Sequence, residues 1–234
     1  MWQFAHILKK ELKDFFISPI AYIVIAIFLI ITGWFFFSTF FIYDQANMRS
    51  FFSLLPIIFT FVIPAITMRL FSEEFNIGSY EILLTMPVTF GDIVFGKFAA
   101  GMVMTAAMLL PTIAYPIAIS LIGDLDWGPV IGGYLGALLL GGTFAAVGVF
   151  ASALTRNQII AFILGASICF ILTLIDKMLF FFPESILNII EYMGADFHFR
   201  NISKGIIDSR DLIYFISVIF ISLYGTRLAL QNKN

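Results

Sequence analysis

Six long apolar stretches, separated by short polar breaks, constrain this chain before any motif is considered. They run roughly over residues 20–42, 51–68, 93–122, 130–154, 159–175 and 212–230, the fifth reaching 182 if its helix continues. Wound as helix, each is long enough to cross about 30 Å of hydrocarbon. The reading is therefore an all-α polytopic membrane protein with six transmembrane helices. Composition agrees, with 61% hydrophobic and only 12% charged residues in a chain of 234. A soluble domain of that size has no means of hiding so much apolar surface. Six crossings of roughly 20 residues leave no stretch for a separate soluble catalytic domain, so residues 1–234 read as one transmembrane domain with lipid around it and no nucleic-acid partner.

Orientation follows from the basic residues. With both termini cytoplasmic, Lys9, Lys10, Lys13, Arg69, Lys97, Arg156, Arg227 and Lys233 fall inside, against Arg49, Lys177, Arg200, Lys204 and Arg210 outside. That distribution follows the positive-inside rule. The first stretch does not read as a cleavable signal peptide, because a charged segment precedes it and no small-residue cleavage site follows.

Before the first span, Phe4, Ile7, Leu8, Leu12, Phe15 and Phe16 recur at helical spacing, with His6, Lys9, Lys10, Lys13 and Asp14 opposite. This predicts an interfacial elbow helix over residues 2–16, ended by Ser18-Pro19. It braces the bundle and touches a cytoplasmic partner, or serves as a plain surface anchor. Pro111 and Pro116 predict kinks in the long third stretch. The fourth carries Gly132, Gly136 and Gly141 among other small residues, a pattern that suits close helix packing, a sliding or dimer surface, or ordinary glycine usage in membrane helices. Few charges lie deep in the apolar material. Asp176-Lys177 is the one internal charged pair, read as marking the interface. Residues 176–210 read as an extracytoplasmic hairpin and surface segment, in which Ile186, Leu187, Ile190 and Met193 form an apolar helix face. His198 reads as a surface packing or hydrogen-bonding residue, since no zinc-ligand repeat surrounds it. Cys169 reads as a small packing residue.

The most informative polar segment is RLFSEEFNIGSYEILLTMPVTFGDIVFGK, from Arg69 to Lys97. Arg69 closes the second span, Gly78-Ser79 turns the chain, and Tyr80 to Met86 predict a short helix before Pro87. Glu73, Glu74 and Glu81 beside that short helix suit protein docking better than catalysis. Gly91 to Lys97 has phosphate-loop spacing, but Phe98 stands where a magnesium-binding hydroxyl is required and no strand precedes it. Lys97 instead reads as a membrane-boundary anchor. An intramembrane metalloprotease built on Glu73-Glu74 lacks placed histidines.

With these residues in view, the chain resembles the ABC-2 type transporter permeases, a type V exporter-like architecture. The resemblance rests on the elbow at 2–16, the six helices, and Arg69, Glu73, Glu74, Gly78, Glu81, Leu83, Leu84 and Pro87 before Gly96-Lys97. The ending HFRNISKGIIDSRDLIYF, with His198, Gly205, Asp208, Arg210 and Asp211, is similar to the gliding-motility-associated branch. The resemblance implies a permease subunit of a bacterial inner (cytoplasmic) membrane, for export or gliding motility, with no catalytic, metal or cofactor site of its own. ATP and magnesium belong to a separate cytoplasmic ABC ATPase, coupled through the elbow and a loop over residues 70–90. It further implies a second permease chain, identical or related, and an accessory membrane protein with an extracytoplasmic domain. Phe75-Asn76 departs from the basic residues that many relatives carry there. A noncatalytic scaffold or mechanically coupled subunit is the alternative function.

Overall fold

The computed structural model describes residues 2–43, 47–85, 87–178 and 190–233. Among them every regular element is helical. The helices are α1 (Trp2–Ile17), α2 (Pro19–Tyr43), α3 (Arg49–Thr67), α4 (Arg69–Ile77), α5 (Ser79–Leu84), α6 (Phe90–Leu109), α7 (Ala114–Ser120), α8 (Trp127–Leu154), α9 (Gln158–Leu174), α10 (Ala195–Ser203) and α11 (Ser209–Gln231). A 3-10 turn, Leu110–Ile113, joins α6 to α7, and Pro111 accounts for this break in the long third stretch.

Short polar residues set many of the helix starts. Thr89 and Asp92 form a reciprocal capping box at α6. Asp126 accepts from the Gly128 amide at α8, Asn157 from Ile159 and Ile160 at α9, and Asp208 from Arg210 at α11. Each cap satisfies amides that the first helical turn leaves without a partner.

Five segments are long and apolar enough to cross a membrane: Pro19–Ser38, Arg49–Ile77, Phe90–Ser120, Trp127–Leu154 and Ser209–Gln231. The fifth expected crossing is the 17-residue α9, at the short end of the spanning range. Apolar side chains cover the outside of α2, where Ile23, Ile27, Ile30 and Trp34 are exposed. Such a surface suits hydrocarbon as its solvent.

Helix α8 is the axis of the bundle, touching α3, α4, α6, α9, α10 and α11. Its small residues make this possible. A Cβ on Gly132 would overlap the Ile202 carbonyl in α10, one on Gly141 would overlap Thr105 in α6, and one on Gly136 would lie 3.2 Å from Phe199 and Ile202. The glycines therefore face this chain's own helices, which accounts for them without a sliding or dimer surface. Because α10 sits against the first turns of α8, while α4 sits against its last turns through Ser152, these contacts mark opposite ends of the bundle.

Candidate functional site

Helix α1 buries a stripe at i, i+4 and i+8, made of Ile7, Glu11 and Phe15. Its middle member is a carboxylate, only 7% exposed. Phe16, expected on the apolar face, is exposed instead, while Lys9, Lys10 and Lys13 lie on the open side. Helix α1 packs on α6 because Gly96 has no side chain there: a Cβ would come within 2.7 Å of Ile7 Cγ2. The next residue, Lys97, then reaches Glu11.

Lys97 is fully buried, which corrects its reading as a membrane-boundary anchor. The segment Gly91–Lys97 is helical from its start, so its phosphate-loop spacing builds no loop. The Lys97 ammonium stands 2.8 Å from Glu11 Oε1 and 2.9 Å from Glu74 Oε2, and donates to the Leu70 carbonyl. Its hydrogen bonds go to Glu11 and the Leu70 carbonyl, and Glu74 Oε2 is an ion-pair neighbour without a hydrogen bond. The Phe71 ring lies 5.0 Å from the same nitrogen. Lys10 closes the arrangement, donating to Glu74 Oε1 at 2.7 Å with Glu11 Oε1 at 3.6 Å. Two lysines and two glutamates thus form a charge-balanced network joining α1, α4 and α6, enclosed by the protein where these helices meet. Burial acts against the Lys10 charge, but the Glu74 hydrogen bond and charge, then Glu11 and Asp14, hold its ammonium above the ordinary lysine value of 10.5. A raised lysine stabilises the fold fully below that value and ceases to do so as pH rises through the higher folded one.

Neighbouring contacts fix α4 and α5. Arg69 stacks 4.5 Å above the Phe15 ring and donates to the Asp14 carbonyl. The Ser152 hydroxyl of α8 accepts from the Phe71 and Ser72 amides at 2.9 and 3.0 Å and donates to the Met68 carbonyl at 2.6 Å. At the end of α4, Gly78 takes the left-handed conformation, φ 74°, which a side chain would strain. Tyr80 then packs edge-on against Phe75, and burial, followed by the Glu74 charge, pushes its phenol up to about 12. Lys233, just beyond α11, donates to the Ala153 carbonyl at 2.7 Å and sits 4.2 Å over the Phe75 ring.

The two expected docking glutamates of α4 separate sharply. Glu73 is exposed, with Glu81 of α5, whereas Glu74 points inward to both lysines. Asn76 and Ile77 are also exposed, and a groove of ≈ 530 Å³ opens beside them, lined in part by Lys10, Asp14, Arg69, Glu73 and Ile77. The backbone of Leu83 and Leu84 belongs to α5, but their side chains, like Met86, lie outside the described residues. Pro87 is exposed between α5 and α6.

At the opposite end, α10 lies on α8 and is tied on two sides. Asp176 pairs with Arg200, while Lys177 pairs with Asp196 at 3.1 Å, so Asp176-Lys177 is a docking pair for α10 as well as the end of α9. Burial and then the Asp196 charge raise the Asp176 carboxyl above its ordinary 3.8, outweighing Arg200 and Lys177. His198 is fully buried, correcting its surface placement, and its Nδ1 stands 2.6 Å from Asp211 of α11. Gly205 turns the chain at φ 86°, Asp208 caps α11, and Arg210 is exposed, reaching the Tyr192 hydroxyl. Of the expected apolar helix face near here, Ile186 and Leu187 lie outside the described residues.

Glu11, Lys97, Ser152 and the Asp176–Arg200 pair were not legible as site residues. Glu11 had a signal: it sits four residues from both Ile7 and Phe15, a carboxylate on a buried stripe. Among the described residues there is no group of three or more His, Cys, Asp or Glu that could hold a metal ion. The arrangement joins helices by charge.

No curated protein matches the chain. Residues 5–193 match the family described as ABC-2 family transporter protein, a span that takes in most of α1, the buried network and the first five apolar stretches. The chain belongs to the ABC-2 family of transporter membrane proteins, and its role is of the permease type.

Proposed function

We propose that this chain is the permease subunit of an ABC-2 transporter driven by a separate cytoplasmic ABC ATPase, which supplies ATP and magnesium. The observation that carries this reading is the division of α4: Glu74 is locked into a buried network with Glu11 and Lys97, while Glu73, Asn76 and Ile77 of the same helix stay exposed. One face is suited to receive a partner, and the other is joined to α1 and α6. With Glu81 of α5, the exposed ridge is the docking face for the ATPase, on the cytoplasmic side together with both termini. The positive-inside distribution supports that orientation. A second permease chain completes the pathway in the bacterial inner membrane. A gliding-motility or export system is its setting, supported by the resemblance of residues 198–215, which lie beyond the matched span.

The test is recovery of an ABC ATPase with the tagged, full-length chain from native membranes. Reversing Glu73 and Glu81 together to lysine is expected to lower ATPase recovery about tenfold, since charge complementarity governs such contacts. Reversing the exposed Lys204 to glutamate at the opposite end of the bundle leaves recovery within about threefold. Undiminished recovery with the Glu73/Glu81 reversal, or no ATPase with the native chain, overturns the proposal.

A further inference from the structure

Helices α3 and α8 both begin at the α10 end of the bundle, and a cavity of ≈ 270 Å³ opens where their first turns meet the last turn of α10. Glycine makes this junction. Gly133 lets the Phe52 ring lie against α8, where a Cβ would come within 2.3 Å of it, and Gly205 brings the chain after α10 onto the backbone of Gly128 and Pro129. Met48, Phe52 and Val130, none more than 3% exposed, form an apolar floor.

The rim is charged. Arg49 opens α3 and Asp126 caps α8, and both are exposed. The Arg49 guanidinium has no ion-pair partner among the described residues. Asp126 gives Oδ1 to the Gly128 amide and keeps Oδ2 as a further acceptor. Ser203 donates its hydroxyl hydrogen to the Arg200 carbonyl, so its oxygen is also left to accept.

A ligand complementary to this set carries an anion and a cation close together on an apolar body. The forked guanidinium of Arg49 suits a phosphate, and the positive ends of α3 and α8 act in the same sense. Because Asp126 and Ser203 offer only acceptors, the cation has to bear N–H groups, as a primary ammonium does and a quaternary one does not. An anionic headgroup with no ammonium satisfies Arg49 but leaves Asp126 as a repelling neighbour. The place in the fold decides the source of such a ligand. The spans of α3 and α8 start at these residues, and Leu121, Ile122, Trp127 and Ile206 nearby are each at least 46% exposed. Exposed apolar side chains beside a charged rim belong where hydrocarbon gives way to headgroups.

We propose that this cavity binds a zwitterionic phospholipid with a primary-ammonium headgroup, its phosphate on Arg49, its ammonium on Asp126 and Ser203, and its acyl chains on the apolar flank. The site lies at the end of the bundle opposite the Lys97 network and does not depend on the ATPase proposal.

Native mass spectrometry of the full-length protein tests it, by titration with phosphatidylethanolamine, phosphatidylcholine and phosphatidylglycerol of matched acyl chains. Phosphatidylethanolamine should bind about fivefold or more tightly than either of the others. Arg49→Gln should weaken it about tenfold. Asp126→Asn keeps a side-chain oxygen to cap α8 and should bring phosphatidylethanolamine to about the level of phosphatidylcholine. Arg210→Gln, at another exposed cation of the same end, should change its affinity less than about twofold. The soluble headgroup glycerophosphoethanolamine should displace the lipid only at about a hundredfold excess or more. Equal binding of the three lipids means annular lipid only and overturns the site. So does native-like phosphatidylethanolamine binding in Arg49→Gln or Asp126→Asn, or an equal loss in Arg210→Gln. Displacement by an equal concentration of glycerophosphoethanolamine assigns the cavity to a soluble phosphoamine and overturns the lipid proposal.

Discussion

The two ends of the α8 axis both bury charge, but of different sign. At the α1/α4/α6 end the most buried group is a cation: Lys97 has Glu11, Glu74 and the Leu70 carbonyl around it, and Lys10 pairs with Glu74 from the open side. At the α10 end the buried groups are mostly acids, Asp176, Asp196 and Asp211, and Arg200 and Lys177 reach the first two from more exposed positions. Each end leaves buried oxygens without a hydrogen-bond partner, Glu74 Oε2 and the Tyr80 hydroxyl at the first, Asp176 Oδ1 and Asp211 Oδ2 at the second. The difference therefore lies in the sign of the buried charge: the first end depends most on its one enclosed cation, while neighbouring acids at the second make it the end that answers to pH.

Lys97→Met should break this comparison most visibly. It leaves Glu11 with Lys10 only at 3.6 Å and Glu74 with Lys10 alone, and the expected cost is about 3–5 kcal/mol in denaturant unfolding of the purified protein. Adding Glu11→Gln and Glu74→Gln should recover more than half of that loss. A cost below about 1 kcal/mol for Lys97→Met alone would mean that the network is no firmer than a surface pair.

Gly132→Ala should come next, because the added methyl meets the backbone carbonyl of Ile202, which cannot swing aside. About 1–3 kcal/mol of destabilisation is expected, read together with loss of exchange protection in α10. Gly136→Ala meets only side chains of Phe199 and Ile202 and should cost under about 1 kcal/mol. Equal costs at the two positions would show that α10 floats on α8.

A smaller effect tests the acid-rich end by pH. Asp176 is raised by burial and Asp196, so its protonated form favours the folded state. Stability contributed by this corner is therefore present below the ordinary carboxylate value of 3.8 and lost as pH rises through the higher folded value. Thermal melting followed upward from that pH should fall less steeply in Asp176→Asn; parallel curves would remove Asp176 as a source of the pH response. The smallest effect belongs to Lys10→Ala, about 0.5–1 kcal/mol, because that ammonium is half exposed and water replaces much of what Glu74 gives it.

Much of the architecture is legible in periodicity and punctuation. The apolar runs, the Ser18-Pro19 break, the Pro111 interruption and the Gly78 turn all act through local backbone physics, which a linear sequence carries in full. The charge network is not local. Glu11 and Lys97 are 86 positions apart, and nothing near either residue says that the other will arrive. The adjacent glutamates Glu73 and Glu74 look equivalent on paper, yet a 100° step around α4 sends one outward and the other between two lysines. His198 and Asp211 lie only 13 positions apart, but their meeting depends on Gly205 turning the chain between them.

The Ser152 hydroxyl has a mechanical consequence. The first amides of α4 have no partner within their own helix, and two of them are taken by this one oxygen of α8, whose hydrogen goes to Met68 at the joint with α3. The joint is thus keyed like a shaft in its hub. Torque applied to α4 cannot be absorbed by twisting at Met68 unless three hydrogen bonds part at once. It is delivered to the most enclosed helix of the molecule, so that a push received at the rim turns the axle.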